Sequence, residues 1–254
     1  MTARTHRYES FTSEAVGALL AQYPLFLPVG SVEQHGPHLP LNVDSEIPNR
    51  ICSDLASRTG GLVGPTIHYA ARSLPHCGGG QDFPGTIHVR GTVFLNYLQD
   101  IIASYVASGV RSLFIINGHY ENEAFIFEAA ERSRELGILQ GKRLVALSWW
   151  SLVTDELIER LFGDSFPGWH AEHASLCETA LLLYLQPEAV LPIRVDNPSP
   201  PRAGIYIHPT NGRQISNRGV LGNSTQATPE IGRAIFDQVV GELEALVRTT
   251  CQEP

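Results

Sequence analysis

The chain has 254 residues and carries 18 Lys and Arg against 26 Asp and Glu, a formal net charge of −8. Hydrophobic residues make up 43% and charged residues 17%, which allows a sizeable core and excludes a disordered chain. The acidic balance, without any Lys/Arg block, argues against nucleic acid or an anionic membrane as partner, and no apolar run approaches the ~20 residues of a membrane-spanning helix.

The first sixteen residues, "MTARTHRYESFTSEAV", lack the apolar stretch of a secretory signal. Cys52, Cys77, Cys177 and Cys251 are widely spaced, form no CxxC and read as free thiols in a reducing cytosol. A cytoplasmic protein is therefore expected.

In chain order, "SEAVGALLAQ" reads as a helix capped by Thr12 or Ser13, and "PLFLPVG" as a buried strand. Residues 44–60 fit a helix ending at Gly60. "LVGPTIHYA" fits a strand with its exit loop, residues 91–110 a long helix, and "SLFIIN" a strand rich in β-branched residues. Residues 121–137 form a predicted helix, 143–150 a strand, and 173–187 a helix stopped near Pro187. A terminal helix follows over 228–250, with Thr228 as cap and Pro229 in its first position. Alternation of this kind predicts an α/β fold with a mostly parallel sheet covered on both faces. Residues 196–226, rich in Pro, Gly and Asn, form a long irregular stretch of the type that serves a site or an oligomer contact.

Ligands of open α/β sheets bind beyond the carboxyl ends of the strands. Four polar clusters fall at such ends: Glu33, His35 and Asp44; "NGHYEN" at 117–122; "SWW" ending at Trp150; and "GWHAEHASLCE" at 168–178. Imidazole with carboxylate suits Zn²⁺, Mn²⁺ or Fe²⁺, whereas Ca²⁺ prefers oxygen alone. Glu33, His35, Asp44, His119, Glu121 and Glu178 supply six candidate ligands. One catalytic zinc uses three, so six suit two metals sharing a bridging carboxylate, and hence hydrolysis. Plainer roles compete. Glu33 and His35 would serve as exposed loop residues, Asp44 as a helix N-cap, and His119 with Glu121 as a solvated turn. Glu178 differs, because its apolar neighbours would bury it, and a buried carboxylate is costly unless paired.

"PVGSVEQHGPHLPLNVD", "GGGQDFPGT", "NGHYENEAFIFEAA" and "GWHAEHASLCET" occur in this order and together resemble the creatininase family of metal-dependent amidohydrolases. The resemblance runs over about residues 24–187 and, with the flanking helices, takes in the chain. It implies a three-layer α/β sandwich in one domain, 1–254, with two divalent ions per subunit (Zn and/or Mn), a small-molecule substrate and a homohexamer. By motif position Glu33, His35, Asp44, His119, Glu121 and Glu178 resemble the metal shell, with Asp44 the bridge. Glu121 would also orient the reacting water, and His173 resembles the histidine that protonates the leaving nitrogen. Tyr120, Trp169 and Trp149 (or Trp150) resemble substrate contacts, and Gly78, Gly79 and Gly80 a binding loop.

Two positions depart from the family pattern. Cys77 stands where a serine precedes the triple glycine, and His170 where an aspartate follows the pocket tryptophan. A neutral imidazole accepts at one nitrogen only, so His170 weakens the case for a guanidinium-like ring. The expected reaction is hydrolysis of a C–N bond in a small, cyclic amide by a metal-bridging hydroxide, creatinine being the first candidate. Alternatives are formamide deformylation, hydrolysis of a cyclic ketone or lactone, or a non-catalytic metal-binding module.

Overall fold

A computed structural model describes residues 6–252; residues 1–5 and 253–254 of the expected domain lie outside the described residues. Helix α1 (Ser13–Leu20) starts where Thr12 Oγ1 accepts the Ala15 amide, which satisfies one of the helix's orphan donors. Strand β1 (Leu25–Val29) follows, every residue of it buried, as in a central strand covered on both sides. Helix α2 (Val43–Thr59) ends on Gly60 in the left-handed conformation. Strand β2 (Leu62–Val63) is only two residues long, because Gly64 and Pro65 follow and proline offers no amide to a ladder; Ile67 rejoins Val29 as an isolated bridge.

A single turn, α3 (Pro75–Gly78), precedes α4 (Gly91–Ala107). Strand β3 (Ser112–Asn117) leads through a 3₁₀ turn, Tyr120–Asn122, into α5 (Glu123–Glu135). Strand β4 (Arg143–Ser148) stops short of the two tryptophans, which coil into a 3₁₀ turn, Trp149–Leu152. Helix α6 (Asp155–Phe162) was not expected; Thr154 caps it by accepting the Leu157 amide. Helix α7 (Leu176–Leu185), the short α8 (Gly212–Ile215) and the long α9 (Pro229–Gln252) complete the chain. The irregular stretch between α7 and α9 is tied down by Asp196, which accepts from the Ser224 and Thr225 amides, and by Asn197, which donates to the Ile215 and Leu221 carbonyls.

The four strands are parallel, in the order β2-β1-β3-β4. Alternate side chains enter two cores. Phe26, Phe114 and Ile116 pack with Ile47 and Ile51 of α2, Leu181 of α7 and Val239 of α9. Leu25, Leu27, Leu113 and Ile115 pack with Leu20 of α1, Phe94 and Leu98 of α4 and Ile126 of α5. Full burial of each such side chain contributes about 1.5–3 kcal/mol. The result is the expected three-layer α/β sandwich. Among the described residues no helix is long and apolar enough to cross a membrane.

Candidate metal centre

Strands β1 and β3 lie side by side, and the helices after them leave to opposite faces, α2 to one core and α5 to the other. That divergence opens a crevice at the carboxyl ends of the two strands. The loop after β1 brings Glu33 and His35 into it, and the loop after β3 brings His119 and Glu121. Asp44 comes from the first turn of α2, one residue inside the helix; the N-cap position belongs to Asn42, so Asp44 does not serve as a cap. Glycine makes the close approach feasible. A Cβ at Gly30 or Gly118 would lie 2.5 or 2.2 Å from the Asp44 carbonyl oxygen.

Glu33, His35, Asp44, His119 and Glu178 are all buried, so neither the exposed-loop reading nor the solvated-turn reading holds. Asp44 faces two histidines: its Oδ1 is 3.1 Å from His35 Nε2, and its Oδ2 is 3.2 Å from His119 Nδ1. Glu178 Oε2 lies 3.5 Å from His35 Nε2, and Glu33 Oε2 lies 2.9 Å from His119 Nδ1. Two donor groups result. Glu33, Asp44 and His119 offer atoms within 4.8 Å of one another, and so do His35, His173 and Glu178. Glu121 reaches the other nitrogen of His119, Nε2, at 3.3 Å, while its Oε1 accepts the Leu74 amide at 2.5 Å.

Burial opposes charge on both histidines, yet their carboxylate neighbours outweigh it. Asp44 and Glu178 hold His35, and Glu121 and Glu33 hold His119, well above the ordinary imidazole value. Burial would raise Asp44, but His35 and His119 pull it far below the usual carboxylate range. Burial pushes Glu33 up to about 8. A divalent cation fits this arrangement. Glu33 Oε2 and Asp44 Oδ2 are buried and converge on His119 Nδ1, at 2.9 and 3.2 Å, yet neither makes an aligned hydrogen bond. Atoms that converge without bonding one another are what ligands around a shared cation look like, and without it they would carry a desolvation cost of several kcal/mol.

The remaining predicted residues surround a narrow recess of about 20 Å³, room for a water-sized group. Its lining includes Cys77, Tyr120, Glu121, Trp149, Trp150, Trp169 and His173. Trp149 meets Trp150 and Trp169 edge to face, at 5.6 and 5.8 Å, and Trp150 stacks beside Tyr120. Burial pushes the Cys77 thiol up, so it is an inert wall group. His170 is absent from the lining: its Nε2 donates to the Pro201 carbonyl at 2.8 Å and clasps the irregular stretch to the pocket turn. His173 Nε2 donates to the Gln34 carbonyl at 2.7 Å, which leaves Nδ1 as its basic nitrogen. Burial, reinforced by His35, lowers its pKa well below the ordinary value.

Sequence reading passed over three residues here. Ser73 donates to Glu33 Oε1 at 2.6 Å. The Gln34 side chain donates to the Gly78 and Gly219 carbonyls and accepts the Gly36 amide, pinning three loops around His173. Glu172 lines the recess. The signal for Glu172 was present, as a second acidic residue in the "GWHAEHASLCE" segment, next to His173.

Fold and cage together define a metal-dependent hydrolase. More narrowly, the chain belongs to the creatininase family, whose model, described as creatinine amidohydrolase, matches residues 9–247. It is 37% identical to creatinine amidohydrolase of Pseudomonas putida over 229 residues, 88% of each chain. Lower similarity extends to 3-dehydro-scyllo-inosose hydrolase of Thermotoga maritima, 26% identical over 95% of this chain and 82% of that one. It extends also to a mycofactocin precursor peptide peptidase of Mycobacterium tuberculosis, 29% identical over 100% and 98%. A crystal structure of creatinine amidohydrolase (creatininase) superposes with a TM-score of 0.92 at 33% identity, over 99% of this chain and 100% of that chain. A structure described as creatininase Mn gives 0.91 at 33% identity, over 98% and 100%. These relatives are hydrolases, which sets aside the non-catalytic module.

Proposed function

We propose that the protein hydrolyses a C–N bond in a small, cyclic amide, with creatinine, opened to creatine, as the leading substrate. The observation that carries this reading is Asp44, whose two oxygens face His35 and His119 on opposite sides of one crevice. Two divalent ions, Zn and/or Mn, fit there. Glu33, Asp44 and His119 would hold one, and His35, Asp44 and Glu178 the other. When bound, such ions activate water and polarise an amide carbonyl.

The chain's own groups perform the rest. Glu121 orients His119 and the attacking water. His173 is neutral at rest, because burial and His35 disfavour its charged form. It therefore takes the proton that the attacking water gives up, at Nδ1, and delivers it to the departing nitrogen. Trp149, Trp150 and Trp169 exclude water and sandwich a flat ring, with Tyr120 at the mouth. The reading includes one domain over 1–254 and a cytoplasmic homo-oligomer, a homohexamer by resemblance. Exposed apolar side chains at Tyr69, Ile87, Tyr97 and Phe127 support association.

A second reading keeps the metal shell and changes the substrate. It is favoured by His170, which is turned to Pro201 rather than to the recess. Purified protein loaded with Mn²⁺ or Zn²⁺ and assayed on cyclic amides, formamides, lactones, cyclic ketones and peptides separates the two. Turnover of creatinine that is lost in Glu121→Gln and His173→Ala supports the first reading. Turnover confined to another member of the panel replaces it with the second.

A further inference from the structure

One buried carboxylate in the recess takes no part in the cage or in the proton path. Glu172 is 4% exposed and lines the recess beside the tryptophans. Its Oε2 accepts the Cys177 amide at 2.8 Å, at the start of α7, which fixes the orientation of the group. Its Oε1 is buried and has no hydrogen-bond partner. Across the same recess the Trp149 indole N–H is also buried without a partner. Unpaired buried polar atoms are rare in folded proteins, and here an acceptor and a donor belong to two residues that line one small cavity.

We infer that Glu172 is a specificity-determining residue, whose free oxygen accepts an N–H from the exocyclic nitrogen of the substrate ring, so that the site takes ring amides bearing an exocyclic N–H donor. The inference rests on the ring-amide reading above and narrows it. With His170 held by Pro201, Glu172 is left as the carboxylate available for this contact that the cage does not use. Oxygen analogues, which present a lone pair instead of an N–H, would meet Glu172 acceptor to acceptor. Burial opposes charge on Glu172, and an N–H donor at the free oxygen favours the ionised, accepting form.

The test uses a matched pair, creatinine and 1-methylhydantoin, the same ring with oxygen in place of the exocyclic nitrogen. All three tryptophans of the chain line the recess, so their fluorescence reports binding independently of turnover. Glu172→Gln is the informative variant. The Cys177 amide needs an acceptor, so the Gln carbonyl stays on α7 and its NH₂ faces the recess, inverting polarity without changing shape. Metal-loaded wild type is expected to bind creatinine at least about 10-fold more tightly than 1-methylhydantoin, and Glu172→Gln to abolish or reverse that preference at unchanged metal content.

An unchanged preference in Glu172→Gln, or a wild type that favours 1-methylhydantoin, overturns the inference. If Glu172→Gln does not fold, Glu172→Asp, which withdraws the carboxylate by one methylene, carries the same expectation. Failure of the ring-amide reading shows differently, as wild type that hydrolyses neither ring. A binding preference that still inverts would then keep the role of Glu172 and discard the reaction, whereas wild type that binds neither ring removes both.

Discussion

Asp44 Oδ1 sits 3.1 Å from His35 Nε2, while the second oxygen of the same carboxylate turns 3.2 Å from His119 Nδ1. One side chain thus joins the donor group of Glu33 and His119 to that of His35 and Glu178. Asp44→Asn leaves one oxygen and replaces the other with an amide NH₂, which cannot ligate a cation. The variant is expected to hold one ion or fewer per chain against an expected two in wild type, read by elemental analysis after gel filtration. Two ions retained by the variant would remove the bridging role.

Gly78 shapes the same cage from the side of Glu33. A Cβ there would come within 1.6 Å of Glu33 Oε1, the oxygen that also accepts from Ser73. Gly78 has no positive φ, so alanine costs little in the backbone and its effect falls on Glu33. Gly78→Ala is expected to weaken metal affinity about 10–100-fold, with melting of the metal-free protein nearly unchanged. Chelator competition measures the first and calorimetry the second. Equal affinity would show that Glu33 has room to move.

The parallel sheet and its flanking helices were legible because β1 and β3 carry unbroken apolar runs and most helices end on glycine or proline signals. What escaped was local. Helix α6 is only two turns long, and its signal, the Thr154 cap followed by Leu157, Ile158, Leu161 and Phe162 on one face, was passed over. The strand expected after residue 62 is cut to two residues by Gly64 and Pro65. At the site, residue types and spacing revealed the carboxylates and histidines, since each follows a strand or begins a helix. The orientation of His170 was hidden, because its partner is the Pro201 carbonyl, 31 residues away. Glu172 was hidden for the opposite reason: the meaning of its free oxygen depends on a recess that exists only once α7 and the tryptophans are packed together.

His38 sets a limb of the pH dependence of stability. It is buried, and its Nε2 pairs with Thr179 Oγ1 at 2.9 Å. Burial, then the charges of Arg194 and His35, lower its pKa from 6.5 to about 4. Between those values the unfolded chain binds a proton that the native state refuses. Stability therefore falls as pH drops from 6.5 toward 4 and is insensitive to this group above that window. His38→Gln, which keeps a polar atom near Thr179 but does not titrate, is expected to flatten this part of the profile. Urea unfolding of metal-free wild type and variant from pH 4 to 7 tests it, and parallel profiles would contradict it.

The last prediction concerns His173, which the geometry offers in two capacities. Its ring nitrogens lie close enough to His35 and Glu178 to complete a donor group, yet Nε2 is committed to the Gln34 carbonyl. Gln34 is itself fixed through Gly36, Gly78 and Gly219, so that commitment is rigid. A rigid Nε2–H leaves Nδ1 free to accept and pass on a proton, a task that general acid–base catalysis rewards with about 10²–10⁴ in rate. His173→Gln is expected to lower kcat by about that factor while metal content and substrate affinity stay near wild type. A variant that loses one ion per chain instead places His173 in the metal shell, and the proton then travels by another group.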